Sequence, residues 1–324
     1  MELSPGNVSA LYTRYSKIFE EIFFKQSVAW PRIASLYPSE GETETHVWMD
    51  RIPQLRKWFG DRKENNVSLR SYTLPNIPFE GTIGLDKFKV EDNKIGSFDN
   101  AVRALAEQAK KWPDAMLFNA TSADPTAISG LLAGGASTAA VTYDGQPFFS
   151  TAHPQNPDNP NSATQSNYSA SGLALTHANF SAVRAIMRGY KGADGFPLKV
   201  NPNLLVVPPA LEQTAIAILE AEWISPTVAF GGVAASAPSA NTLRGTADYL
   251  VVDDLAGQDT TWYLMDVKSA LKPFIFQLRT PAQFVALVKP TDPNMFNQHK
   301  LLYGVDARGN AGFSAYFLAY SATA

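Results

Sequence analysis

Between Thr45 and Gly81 the hydrophobic period is two, and this stretch constrains the fold more than any other. The segments THVWMDRIPQLRKWFG and NVSLRSYTLPNIPFEG are rich in β-branched and aromatic residues and read as strands. The polar run Gly60-Asp61-Arg62-Lys63-Glu64-Asn65-Asn66 reads as the turn between them. Together they predict a long β-hairpin. Pro53, Pro75 and Pro78 lie in or beside its strands, which argues against a central place in a sheet. Two strands alone are marginal in water. A chain built this way must lay its hairpin against something else.

Charge points the same way. From Arg51 to Arg70 there are six basic residues (Arg51, Arg56, Lys57, Arg62, Lys63, Arg70) against Asp61 and Glu64, a local charge of +4. The whole chain carries -3, so the remainder carries -7. A basic arm on an acidic body suggests electrostatic docking onto a neighbouring copy. For any single charge there, a solvated hairpin tip is the simpler reading. Charged residues are 18% of the chain, against about 25% in ordinary soluble domains. Interfaces are depleted in charge, so this composition fits a chain covered by copies of itself. A monomer with a Ser-, Thr-, Asn- and Ala-rich surface would read alike.

From Trp112 to Val183 there is no Lys or Arg, which excludes a phosphate-binding surface over that span. Trp48, Trp58 and Trp112 could stack bases, but single-stranded binders set aromatics in a basic groove. Only the hairpin is basic, so these residues, Trp58 among them, are assigned to interface packing.

Around the hairpin the periodicity is mixed. Ser9 to Gln26 shows helical spacing through Leu11, Tyr15, Ile18, Phe19, Ile22 and Phe23. Pro31, Pro38 and the acidic Glu40, Glu42 and Glu44 predict a bend and an extended linker. Ser97 to Asn119 predicts the clearest helix, with a Phe98, Val102, Leu105, Ala109, Trp112 stripe and a kink or restart at Pro113. Thr176 caps a helix with Phe180, Val183, Ile186, Met187 and Tyr190 inward, and Asn203–Val207 reads as a buried strand entering another helix. Tyr249–Asp253, Trp262–Val267, Phe274–Leu278, Phe284–Val288, Leu301–Ala307 and Phe313–Ala319 are further strands. The class is α+β.

Catalytic signatures are missing. The chain has no Cys, which removes disulfides, thiolate nucleophiles and Cys-ligated metal sites together. There is no G-x-S-x-G, no phosphate loop, no H-E-x-x-H and no G-x-G-x-x-G. Asp253, Asp254 and Asp259 miss calcium-loop spacing and read as a turn. Asn156, Asp158, Asn159 and Asn161 alternate with prolines and read likewise. Ser150 and His153, with Asp144, offer a nucleophile–base arrangement. Triads are assembled from distant segments, so His153 reads instead as a loop histidine bonding backbone groups. No catalytic, cofactor or metal site is expected. The start lacks a basic region followed by an apolar run, and no segment is long and apolar enough to span a membrane. A soluble, intracellular-type protein is expected.

One segment carries a resemblance. YDGQPFFSTAHP (Tyr143–Pro154) resembles the Tyr-Asp-Gly-x-Pro-Phe-Phe-Ser-x-x-His-Pro segment of the Mu-like bacteriophage major head subunits. FEGTIGLDKFKVEDNKIG (Phe79–Gly96), LLVVPPALE (Leu204–Glu212), RGTADYLVVDDL (Arg244–Leu255), TWYLMD, KPFIFQLR and YGVDARGNAGF (Tyr303–Phe313) follow in the family's order. The resemblance implies the Hong Kong 97-type capsid fold. It implies an N-terminal arm over 1–44, an extended hairpin loop over 45–80, a peripheral domain with a spine helix over 81–176 and 265–324, and an axial domain over 177–264. It further implies pentamers and hexamers closing an icosahedral head, assembled in the host cytoplasm, around weakly and non-specifically held double-stranded DNA. Scaffold, portal and decoration proteins are implied partners, and no cofactor is. The inter-subunit contacts expected are Arg51, Arg56, Lys57, Trp58, Arg62, Lys63 and Arg70. The alternatives are an encapsulin-like compartment holding a cargo enzyme, and a hydrolase using Ser150, His153 and Asp144.

Overall fold

A computed structural model describes residues 4–49, 69–92, 96–119, 128–138, 140–159, 161–224, 239–289 and 291–324. Helix α1 (Pro5–Lys25) begins before the Ser9 that periodicity indicates. Ser4 accepts a hydrogen bond from the Asn7 amide, and Pro5 takes a first-turn position where no amide is needed. Its stripe of Val8, Leu11, Tyr15 and Phe19 is buried. Pro31 lies in a short 3-10 turn (Trp30–Arg32) that ends the helical region. The segment expected as an extended linker is instead strand β1 (Ala34–Pro38). It runs parallel to a strand near the C-terminus, from Ala34↔Phe274 to Pro38↔Leu278, a long-range pairing that local pattern does not encode.

Strands β2 (Thr43–Met49) and β3 (Leu69–Pro75) pair antiparallel, from Thr43↔Pro75 to Met49↔Leu69, forming the base of the expected hairpin. Strand β4 (Ile77–Asp86) follows, then the short helix α2 (Lys87–Glu91), capped by Asp86. Helix α3 (Gly96–Phe118) continues through Pro113 without ending there. Met116, Leu117 and Phe118 beyond it are buried in the main core, and that packing sustains the last turn despite the lost amide.

The cation-free middle holds helix α4 (Leu131–Gly134), the small pair β5 (His153–Pro154) and β6 (Thr164–Gln165), and β7 (Tyr168–Ser169). Thr176 caps helix α5 (His177–Arg188) as expected, although Ile186 points outward and is exposed. Strand β8 (Leu204–Val207), helix α6 (Glu212–Leu219), the pair β9 (Trp223–Ile224) and β10 (Ser239–Ala240), β11 (Asp248–Val251) and β12 (Thr261–Met265) come next.

The two strands expected at 274–278 and 284–288 are one, β13 (Phe274–Leu287). Its register against its neighbour shifts between Leu278 and Gln283, an irregularity that accommodates Pro281. Helix α7 (Pro293–Gln298), β14 (Lys300–Phe313) and β15 (Ala319–Thr323) complete the chain. The strand expected over 313–319 is divided by a 3-10 turn at Tyr316–Leu318.

Two sheets organise the molecule. One has the order β1-β13-β14-β4, the other β11-β8-β12-β15-β7. In the second, alternate residues feed two cores: Leu204, Val206, Tyr263 and Met265 face the main core. Leu205, Val207, Trp262 and Leu264 face a core shared with α5 and α6. A third core lies where α1 and α3 cover one face of the first sheet, with Tyr15, Phe98, Val102, Leu301 and Tyr303 inside.

Candidate inter-subunit surface

The first sheet has two unlike faces. On one, Leu301, Tyr303 and Val305 of β14 lie beneath the helices, with Leu85, Ile83 and Gly81 of β4 opposite them. On the other, cross-strand register sets out three rows over β13, β14 and β4: Leu287–Leu302–Gly84, Val285–Gly304–Thr82 and Gln283–Asp306–Glu80. Val285 and Leu287 stay 39% and 45% exposed. Gln283, Asp306, Glu80, Thr82 and Gly84 are exposed as well. Glu80 and Asp306 face each other directly, and like charges so placed repel. Among the described residues neither has a cation within salt-bridge distance, and Glu80 only accepts a hydrogen bond from Thr82 Oγ1 at 2.9 Å. The patch is apolar at one end and acidic at the other.

By alternation Gly312 lies on this same face of β14, and the hairpin base rests on it. A Cβ on Gly312 would lie 2.8 Å from Tyr72 Cε1 and 3.1 Å from Leu74 Cδ2, so only glycine lets β3 approach that closely. The chain's own hairpin thus roofs one end of the face and leaves Asp306 and the flanking Val285, Leu287, Glu80, Thr82 and Gly84 exposed. Of the expected contact residues, Arg70 sits in β3 opposite Trp48. Arg51, Arg56, Lys57, Trp58, Arg62 and Lys63 lie outside the described residues. Sequence reasoning missed Glu80 and Asp306, because their opposition exists only in the β4–β14 register.

The segment that carries the family resemblance is a structural knot. Gly145, at φ +78°, allows the Asp144-Gly145 turn, whose Gly145 amide donates to Thr142 O. The turn sends Phe148 and Phe149 into the main core. His153 is fully buried, with its ring flat on Tyr316 at a centroid separation of 3.7 Å. Its Nδ1 lies 2.6 Å from Asp144 Oδ2 and its Nε2 lies 3.2 Å from Phe148 O. Both nitrogens are spent on acceptors, so neither can take a proton from Ser150. Ser150 Oγ instead accepts from the Ala152 amide. Burial pushes the Asp144 carboxyl up, but its bonds to His153 and Thr142 outweigh this and hold it below the usual carboxylate range. His153 bonds a backbone carbonyl, as expected of a loop histidine, and also Asp144, the partner named in the hydrolase alternative, while Ser150 bonds elsewhere.

The other acidic candidates are turns. Asp259 Oδ1 accepts from the Gly257 amide, and Asp253 and Asp254 lie in a 3-10 turn. Asn156 and Asn159 accept from the amides of Asp158 and Asn161. Among the described residues no group of three His, Asp or Glu side chains is placed to hold a metal, and no helix is long and apolar enough to cross a membrane.

A long helix on one face of a sheet, a second sheet buried between two cores and the paired strands β2 and β3 give the chain the Hong Kong 97-type capsid fold. The family model for the Mu-like prophage major head subunit gpT matches residues 8–174, 168–255 and 239–324, and the chain belongs to that family. It is 22% identical over 324 residues to the Mu-like prophage FluMu major head subunit of Haemophilus influenzae, covering 98% of this chain and 74% of that one. It is 23% identical over 319 residues to the major capsid protein of Escherichia phage Mu, with the same coverages of 98% and 74%. Its fold is similar to a chain in the procapsid of bacteriophage JBD30, with a TM-score of 0.59, 23% identity, and coverage of 99% of this chain and 76% of that one. As a major head subunit it is a structural protein of the virion.

Proposed function

We propose that copies of this chain form pentamers and hexamers that close an icosahedral head around double-stranded DNA, each basic hairpin lying across a neighbouring copy. The hairpin contacts are Arg51, Arg56, Lys57, Trp58, Arg62, Lys63 and Arg70, and the receiving surface is the open sheet face ending in Glu80 and Asp306. One observation carries this reading. The body leaves one apolar and acidic sheet face uncovered, while the segment 51–70 supplies basic and aromatic residues in the complementary sense. The arm is residues 1–44, the hairpin loop 45–80, the peripheral domain 81–176 with 265–324, and the axial domain 177–264; the last residues of that loop, Ile77–Glu80, already lie in β4 of the body's sheet, to which Glu80 belongs. Strand β15 returns from the peripheral segment to pair with β12 and so ties the two domains together.

The head contacts its DNA weakly and without sequence preference, because the cation-free span from Trp112 to Val183 offers no phosphate-binding surface. Scaffold, portal and decoration proteins are its further partners, and the chain performs no catalysis. The test is negative-stain microscopy of the purified protein beside a variant lacking Arg51–Arg70. Closed shells from the parent and open or partial assemblies from the deletion are expected. Normal shells from the deletion would refute the bridging role.

A further inference from the structure

The base of the hairpin is joined to the body by a chain of hydrogen bonds in which each donor is used in one direction. His46 Nε2 lies 2.9 Å from Gln277 Oε1, an amide oxygen that can only accept, so the histidine donates. Gln277 is fully buried, and its Nε2 donates to Leu74 O at 3.2 Å and to Asn76 Oδ1 at 2.8 Å. Asn76 Nδ2 in turn donates to Ser39 Oγ at 2.7 Å and to Gly41 O at 2.9 Å. Ser39 Oγ donates to Glu44 Oε1 at 2.8 Å, which also accepts the amides of Glu40 and Gly41. These bonds hold the Glu44 carboxyl below the usual carboxylate range. Arg279 of β13 donates to Gly41 O as well.

The chain therefore ties both hairpin strands and the β1–β2 turn to β13. Every hydrogen-bonding group of the Gln277 and Asn76 amides that it uses is matched in kind. A buried polar network so satisfied rigidifies an arrangement and makes it unique. An apolar core at the same place would hold the strands together without choosing their direction. The segment 50–68 joins the ends of β2 and β3 at Met49 and Leu69, so the network that fixes these two strands fixes where and in which direction that segment begins. We infer that the His46–Gln277–Asn76–Ser39–Glu44 chain is an aiming clamp, with Gln277 as its central positioning residue, which sets the direction in which the hairpin reaches the next copy. The inference rests on the bridging role proposed above.

The experiment uses the full chain, whose lack of cysteine permits clean labelling. Spin labels at Asp61→Cys and Lys268→Cys, diluted into unlabelled protein, report hairpin direction as a distance distribution. Gln277→Leu keeps a buried side chain but ends the relay. It should broaden the distribution at least about twofold and cut the yield of closed shells about tenfold. Thermal unfolding of the subunit should move little. His46→Leu, at a half-buried position that will not jeopardise folding, should act in the same direction, and His46→Gln, which restores a donor, should recover narrow distances and shells. Unchanged distances with parent-like shells in both Gln277→Leu and His46→Leu would overturn the inference. If the 51–70 deletion assembles normally, the bridging reading fails instead, whatever the distances show.

Discussion

The two sheets differ in how completely the chain itself covers them. The central strands of the five-stranded sheet, β8, β12 and β15, send alternate residues into two cores, and Leu205, Leu264 and Trp262 have no exposed surface. The four-stranded sheet is finished on one face by α1 and α3 but carries Val285, Leu287, Glu80 and Asp306 uncovered on the other. One sheet is stable within the monomer. The other is finished on one side only, and its open side is the face proposed above to meet a neighbouring copy. The difference separates the residues that keep the subunit folded from those that, on the reading proposed above, make it associate.

The sharpest break of this comparison lies in the five-stranded sheet and the knot beneath it. Leu264→Ala removes side-chain volume from a fully buried site and should cost about 2–5 kcal/mol in urea unfolding. Asp144→Asn removes the carboxylate from a fully buried bond to His153 and should cost about 1.5–3 kcal/mol by the same measurement, the worth of a hydrogen bond to a charged group. Both should lower the amount of soluble subunit before any effect on shells is seen.

Leu287→Ser, on the open face, should change subunit stability by no more than about 0.5 kcal/mol while markedly lowering the yield of closed particles. A large loss of stability with normal assembly would reverse the roles assigned to the two sheets. Glu80→Lys with Asp306→Lys should leave subunit stability within about 0.5 kcal/mol, because it replaces one exposed like-charge contact with another. Its assembly defect should be greatest at low salt and shrink at high salt, since exposed charges are screened. A defect independent of salt would count against electrostatic docking.

The covered face can also be probed by pH. Burial, with Asp99 nearby, pushes the Tyr15 hydroxyl from its ordinary 10.0 up to about 12, and burial beside Tyr15 raises that of Tyr303 as well. A pKa raised in the folded state means that the stabilising contribution is full below pH 10 and is lost as pH climbs through about 12. Phenolate absorbance and limited proteolysis of α1 should therefore change together in that window. Release of α1 at neutral pH would show that its seat is not the aromatic cluster.

Much of this was legible in the residues. The stripes of α1, α3 and α5 were readable because helix periodicity is local, and LLVV read as a buried strand because both its faces are apolar. The DGQPFFSTAHP run was visible as a family resemblance, while its physical role was not. That role depends on Tyr316, which lies more than a hundred residues away and stacks on His153. Arg279–Pro281 looked like a break between strands, but β14 holds β13 together across it. Nothing in the run KPFIFQLR singled out Gln277, whose role depends on His46 and Asn76 in distant segments.

By itself the amino-acid order determined helices α1, α3, α5 and α6, the base of the hairpin, the absence of cysteine chemistry and the family, while the short helices α2, α4 and α7 went unread. Those properties depend on near neighbours or on composition. Only the tertiary structure decided that β1 joins β13, that Glu80 meets Asp306 and that Gln277 links His46 to Asn76. Each of these depends on strand register between distant segments, where a slip of one residue would turn every side chain to the opposite face.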